Sequence, residues 1–432
     1  MNRNKVWEII KKGKQILSFL CVIGLFVVGL RYCSRVLVNK TSIKKYEQFF
    51  HTDKRFDVLF LGSSHVINGV SPLDLFRDYG IASFNLSQHG NYVRSAYYLL
   101  AQILEIIESE NRDMPKVVVL DVYADGESVP SLHNAWDGFP SSEIKRDMAR
   151  NLANDKQTEM VLPLSLYHSR WNELAKQDFN PTINQLYGAE LRYGVSLPGA
   201  EIITDPEEKG DIDEEKRLYV DRIKELCSSF GIRLVLINIP YSYKPEWQRE
   251  ANAFYDYAQE NQLCYINYMN EDIGIDFDID LFDTGHLNPA GMRKITHELG
   301  KLLQGMEVED RRDGDQAEQW MEEYGDFIQF RINKLKQISQ AAIYLMSINV
   351  PDLFSVVQIK RSALENVQIR KLIQRLKEGE NQVEIVEEGQ KLTPLDGKEG
   401  EFDIYCTVYE KGNQDSPADS RGFVHQESYV EK

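Results

Sequence analysis

Five apolar runs of strand length, at 57–61, 82–87, 116–121, 232–239 and 264–268, alternate with helix-patterned stretches. No other feature constrains the fold as much. Asp57-Val58-Leu59-Phe60-Leu61 is nearly continuous in apolar residues, the pattern of a strand covered on both faces of a parallel sheet. A short helix is expected from Pro72, behind Ser71 as its N-cap, and longer ones at 97–107, 216–230, 246–260 and 290–303. Gly231 ends the helix at 216–230. Repeated strand–helix units of this kind predict an α/β unit, a doubly wound parallel sheet, over 45–305. The alternation breaks between Tyr123 and Glu214, where aromatics, polar turns and Pro130, Pro140, Pro163 and Pro181 read as an insertion, 123–214, of short helices. Such a segment over one end of a sheet is the usual place for substrate-selecting structure.

Ahead of this unit lie a basic segment, 1–15, and an apolar stretch, 16–38. The most apolar part, 16–30, is short of the roughly 20 residues that cross a bilayer, but Lys14, Arg31 and Arg35 can extend their charges to the interface. A cleaved signal peptide is the rival reading. Arg31, Tyr32 and Cys33 follow the apolar run instead of a small-x-small site, so an uncleaved single-pass anchor, with membrane lipid as its partner, is expected. Basic residues flank both ends, so charge alone barely orients the helix. The net charge of −17 excludes a nucleic-acid backbone as partner. Five scattered cysteines make neither a disulfide framework nor a zinc site.

Beyond 305 the composition shifts. Residues 306–316 read as a charged linker, and 317–432 as a long helix, 317–348, followed by a small α+β unit. Its strands are expected at 354–359, 383–386, 403–409 and 422–429, with a helix at 363–376. No motif there carries chemistry. Asp276, Asp278 and Asp280 alternate like calcium ligands but lack the Gly and distal Glu of an EF-hand, so they read as a solvated strand edge. Neither metal nor cofactor is expected.

The chemistry sits in two distant segments. Gly62-Ser63-Ser64-His65 follows the first strand, and Asp283-Thr284-Gly285-His286 precedes the last helix of the α/β unit, which starts at Pro289. A serine hydroxyl is a weak nucleophile until a base takes its proton. Ser64 stands at the C-terminal sheet edge, where open α/β sheets bind ligands. His286 is the candidate base, and Asp283, three residues before it, the group that orients the imidazole. Each segment alone is commonly a plain turn that caps a helix. Their joint position in one unit makes the pair informative. In the insertion, Tyr123, His133 (with Asp137) and Arg170 within Tyr167-His168-Ser169-Arg170-Trp171 are candidate glycan contacts, since aromatic faces stack on sugars and Arg binds acidic groups. Packing and ion pairing within the insertion is the alternative for His133 and Arg170.

This arrangement resembles the SGNH (GDSL-type) hydrolase superfamily over about 56–303. More narrowly, Leu61-Gly62-Ser63-Ser64-His65 with Gly69-Val70-Ser71-Pro72 is similar to its envelope polysaccharide O-acetyltransferase branch, which includes alginate acetylation proteins and the D-alanyl transfer protein of teichoic acids. The resemblance implies a flavodoxin-like SGNH fold and a Ser64–Asp283–His286 triad. It also implies Gly90, in Ser87-Gln88-His89-Gly90, as an oxyanion donor beside the Ser64 amide. It further implies a polysaccharide substrate, a membrane-bound acyltransferase partner, and an N-in, C-out topology with the catalytic domain outside the cell membrane. The departure is after the third strand, where Leu120-Asp121-Val122-Tyr123-Ala124-Asp125 stands in place of the family's Gly-x-Asn-Asp. Either Tyr123 or a residue of the insertion replaces the missing donor, or the oxyanion hole is weaker. Three readings follow: a membrane-anchored acyl, chiefly acetyl, transferase or esterase; a catalytically inactive SGNH-fold assembly or glycan-binding protein; or a plain secreted esterase.

Overall fold

The computed structural model describes residues 3–38, 40–123, 128–179, 186–196, 202–392 and 402–424. Of the sequence expectations, Pro181, Ala124-Asp125 and residues 425–429 of the last strand lie outside them. The chain opens with helices α1 (Arg3–Leu37) and α2 (Lys40–His51), then β1 (Val58–Leu61), α3 (Ser64–Ile67), α4 (Pro72–Tyr79), β2 (Ser83–Asn85), α5 (Val93–Ser109) and β3 (Val117–Asp121). The insertion supplies α6 (Val129–Trp136), α7 (Glu143–Leu152), α8 (Gln157–Val161), α9 (Leu164–Tyr167) and α10 (Lys176–Phe179). The alternation resumes with α11 (Glu214–Ser229), β4 (Arg233–Asn238), α12 (Pro245–Asn261), β5 (Cys264–Asn267) and α13 (Pro289–Gly305).

The five strands form one all-parallel sheet in the order β2-β1-β3-β4-β5. The continuous apolar runs have their physical reason here. Along β1, Leu59 and Leu61 pack on one face with α5, α11 and α12, while Val58 and Phe60 pack on the other with α4 and α13. Chain order reverses between β1 and β3, so the loops leaving their C-terminal ends part and leave a crevice. Ser71 caps α4 as its sequence position suggests, its Oγ accepting from the Asp74 amide at 3.3 Å, with Pro72 in the first turn.

Past α13 come α14 (Ala317–Leu335), α15 (Ala341–Ile348), β6 (Leu353–Lys360), α16 (Val367–Glu378), β7 (Gln382–Val386), β8 (Ile404–Glu410) and β9 (Asp419–Phe423), with a mixed sheet ordered β7-β6-β8-β9. Three expectations need correction. The helix expected at 317–348 is two helices. Its carbonyls at Lys336 and Ile338 accept hydrogen bonds from the Arg421 guanidinium, so the chain turns there instead of continuing its own ladder. The helix expected at 363–376 starts only at Val367, behind Asn366, whose side chain caps the Ile369 amide at 3.1 Å. The acidic run is no solvated edge. Asp280 is fully buried and holds Arg375, while Asp276 and Asp278 both meet Lys371, so the run docks α16 onto the α/β unit. The stretch 306–316 is also bound down: Val308 enters the core, Arg311 pairs with Asp57, and its amide donates to Gly80 at 2.9 Å.

At the other end, residues 11–37 of α1 are long and apolar enough to cross a membrane, and its side chains from 11 to 33 are exposed throughout.

Candidate active site

The turn that carries Ser64 is made possible by Gly62. A Cβ at this position would lie 2.6 Å from Val66 Cγ2 and 2.9 Å from Asp121 Cβ, so only glycine lets β1 pass this close to the end of β3 before turning into α3. Ser63 spends its side chain locally, accepting from the His65 amide at 3.3 Å as the N-cap of α3. Ser64, the next residue, keeps its hydroxyl for the crevice, and it is half-buried.

The partner loop is folded on itself. Leu281 and Leu287 form an antiparallel bridge, and the Phe282 amide donates to the His286 carbonyl at 2.8 Å. Asn288 then caps α13 with its side-chain oxygen on the Ala290 and Gly291 amides. Its side-chain amide donates to the carbonyls of Ile279 at 2.8 Å and Gly194 at 3.0 Å. This framing brings His286 Nε2 to 2.7 Å from Ser64 Oγ, and His286 Nδ1 to 2.8 and 2.9 Å from the two Asp283 oxygens. Asp283 Oδ1 also accepts from the Gly285 and His286 amides at 2.8 and 2.9 Å. Burial alone would raise the Asp283 pKa, but the imidazole bond and these amides outweigh it and hold the carboxyl below its usual range. An ionised carboxylate on Nδ1 keeps that proton in place and leaves Nε2 free to accept from Ser64.

Gly90 has φ +67°, and a Cβ there would lie 2.6 Å from Ser131 Cβ of α6. Its loop runs beside the turn that carries Ser64, with the Gln88 amide donating to the Gly62 carbonyl at 3.1 Å and the Lys45 ammonium bonded to the Ser87 carbonyl. The adjacent Asn91 is buried and accepts from the Ser95 hydroxyl, which stiffens the same loop.

Tyr123 stacks on the His65 ring at 3.6 Å, and its hydroxyl is bonded to that of Tyr243. His65 itself is buried between Tyr123, Tyr241 and His286, the last at 5.5 Å edge-on. Burial, with His286 adding to it, holds the His65 pKa well below its ordinary value, so the ring is neutral. Tyr241 and Tyr243 come from the run after β4 and Trp247 from the first turn of α12; sequence reading placed that helix but singled out none of the three rings. Their signal was present, because aromatic residues directly after a parallel strand land on the ligand edge. Tyr92, Tyr243 and Trp247 remain half-exposed there and offer flat apolar faces.

The other two candidates are placed elsewhere. His133 is buried with Nδ1 2.8 Å from Asp137, so it packs the insertion and offers no open surface to a glycan. Arg170 donates to the Leu37 carbonyl at the end of α1 and lies 3.3 Å from Asp178, tying the insertion to the apolar helix. Asp121, at the end of β3, is buried against Gly62. Burial pushes its carboxyl up to about 8, against the smaller opposing pulls of the Ile239 amide and Lys216.

No family model and no curated protein matches the sequence. Among solved structures, a candidate acylhydrolase from Bacteroides fragilis NCTC 9343 aligns over 62% of this chain and 98% of its own, with 11% identity and a TM-score of 0.32. The psychrotrophic esterase EstA from a Pseudoalteromonas species, in a structure inhibited by monoethylphosphonate, aligns over 58% of this chain and 97% of its own, with 14% identity and a TM-score of 0.30. Likeness this distant assigns neither family nor activity.

Proposed function

We propose that this chain is a membrane-anchored serine esterase or O-acyltransferase, acting with an acetyl group on a cell-envelope polysaccharide outside the membrane. The observation that carries this reading is the unbroken relay Ser64–His286–Asp283, with each link at 2.7 to 2.9 Å. In this mechanism His286 Nε2 takes the Ser64 proton as Oγ attacks the acyl carbonyl. The backbone amides of Ser64 and Gly90 receive the developing oxyanion. His286 returns its proton to the departing alcohol, leaving Ser64 acylated. The same base then activates the acceptor: water gives hydrolysis, a glycan hydroxyl gives transfer. The half-exposed rings of Tyr92, Tyr243 and Trp247 favour a flat carbohydrate face as the acceptor.

One observation favours a second reading, a glycan-binding or assembly protein without turnover. Leu120-Asp121-Val122-Tyr123 offers no Asn where the third oxyanion donor would stand, and the Tyr123 hydroxyl is engaged by Tyr243. Loss of one such donor costs about a hundredfold or more in rate. Hydrolysis of a nitrophenyl acetate by the purified full chain separates the two readings. Activity that disappears in Ser64→Ala, together with covalent capture of Ser64 by a serine-directed phosphonate, supports the enzyme. Equal activity in Ser64→Ala, or no capture, sinks it.

A further inference from the structure

We propose that the insertion segment 157–179 rests in the headgroup layer of a phospholipid bilayer, beside the foot of α1. The inference depends on the reading of α1 as a membrane anchor. Exposure divides the end of that helix: side chains from 11 to 33 are open, whereas Val36 and Val38 are buried. Among the elements that pack on α1 are α9, the 3-10 turn His168–Asn172 and α10, and Arg170 bonds the Leu37 carbonyl.

Helix geometry sets the height of that contact. From Lys14, the last charge before the apolar run, to Leu37 the helix rises about 35 Å at about 1.5 Å per residue. The hydrocarbon layer takes up about 30 Å of this rise, and the remainder lies among headgroups. The segment that touches Leu37 is therefore level with the headgroups.

Its surface suits that layer. Leu162 is 60% exposed, Leu166 39%, Trp171 73% and Phe179 51%, all within a stretch of 18 residues that also shows Glu173 and Lys176 to the outside. Large apolar side chains gathered this densely on a surface mark an interaction site. Amphipathic rings such as Trp settle at the membrane interface, where one end is apolar and the other wet. A protein partner could also cover such a patch, but the bilayer is the neighbour that the anchor itself holds against it. The consequence reaches the site. In the same insertion α6 carries Ser131 against Gly90 and accepts, through the Ala135 carbonyl, a bond from Tyr46 of α2. Bilayer contact would thus set the direction in which the oxyanion side of the crevice faces the membrane.

The test uses the full chain reconstituted in phosphatidylcholine–phosphatidylglycerol vesicles, with and without lipids brominated near the headgroup end of the acyl chains. Emission from Trp171 is taken as the difference between the wild type and Trp171→Phe, and flotation is measured on the same samples. The expected result is flotation with Trp171 emission quenched about twofold or more by the brominated lipid. Flotation with unquenched Trp171 overturns the interfacial placement and leaves the anchor standing. A chain that does not float overturns both. Shielding of Trp171 in native membranes but not in these vesicles assigns the patch to a protein neighbour and also overturns the proposal.

Discussion

Arg375 lies 95 residues from Asp280 in sequence, yet its guanidinium closes on that carboxylate, three residues before Asp283. Asp280 is fully buried, and it holds the Asp283–His286 loop in two further ways. Its side chain accepts from the Asp276 amide at 2.7 Å, and its carbonyl accepts from the Asn288 amide at 2.9 Å. Stripping a buried carboxylate of its only partner costs about 3–5 kcal/mol. Here Lys294 stays at 2.8 Å and the Asp276 amide remains, so Arg375→Ala is expected to cost about 1–2 kcal/mol. The loosening falls on the loop that sets the 2.7 Å contact between His286 and Ser64, and misplacement by about 1 Å costs about a hundredfold in rate. With the loop only part-released, kcat for a nitrophenyl ester should fall about tenfold with KM nearly unchanged. Arg375→Lys should recover most of the loss. The assay is ester turnover and the rate of Ser64 phosphonylation, both normalised to the folded fraction from thermal melts. If Arg375→Ala lowers the melting temperature yet keeps full turnover per folded molecule, α16 braces the fold without positioning the triad.

Three more outcomes follow from the site. Gly90→Ala forces a side chain into a left-handed backbone, costing about 1–2 kcal/mol, and drives its Cβ onto Ser131. Turnover should fall about a hundredfold, beyond what the stability loss explains, and unchanged turnover removes Gly90 from the oxyanion role. Asp121 keeps its proton in the folded state up to about pH 8, while the unfolded chain releases it near pH 4. Its folded pKa is raised, so stability falls as pH rises through that window and levels off above it. Asp121→Asn should remove this slope and be more stable than the wild type at pH 8, by on the order of a few kcal/mol in urea unfolding. Parallel wild-type and variant slopes from pH 5 to 8 would refute the assignment. His65 has the opposite sign. Its folded pKa is depressed, so its contribution is complete above about pH 6.5 and is lost as pH falls and the unfolded chain takes up the proton. His65→Gln should flatten that acid limb in denaturation measured between pH 7 and pH 5.

The parts legible in sequence are those whose cause is local or carries a period. A strand buried on both faces must be apolar throughout, so β1, β3 and β4 announce themselves in Val58–Leu61, Val117–Leu120 and Leu234–Ile237. The Asp283–His286 pair is readable because both groups occupy one turn, and three residues suffice to fold a carboxylate onto an imidazole. What escaped reading depends on charges far apart along the chain. Nothing in residues 336–340 says that Arg421, 83 residues beyond Ile338, will take their carbonyls and end a helix whose pattern runs on. Nothing around Asp276, Asp278 and Asp280 names Lys371 and Arg375 as partners, so the run looked solvated although Asp280 is sealed inside. His133 and Arg170 could be read either way for the same reason, since a ligand group and a side chain tied to Asp137 or to the Leu37 carbonyl look alike in one dimension. These hidden contacts are not incidental to the Ser64–His286–Asp283 geometry. The two residues of the Asp283–His286 turn are chosen locally, but its height above Ser64 depends on Asp280, which is held by a helix that sequence reading set apart as a unit without chemistry.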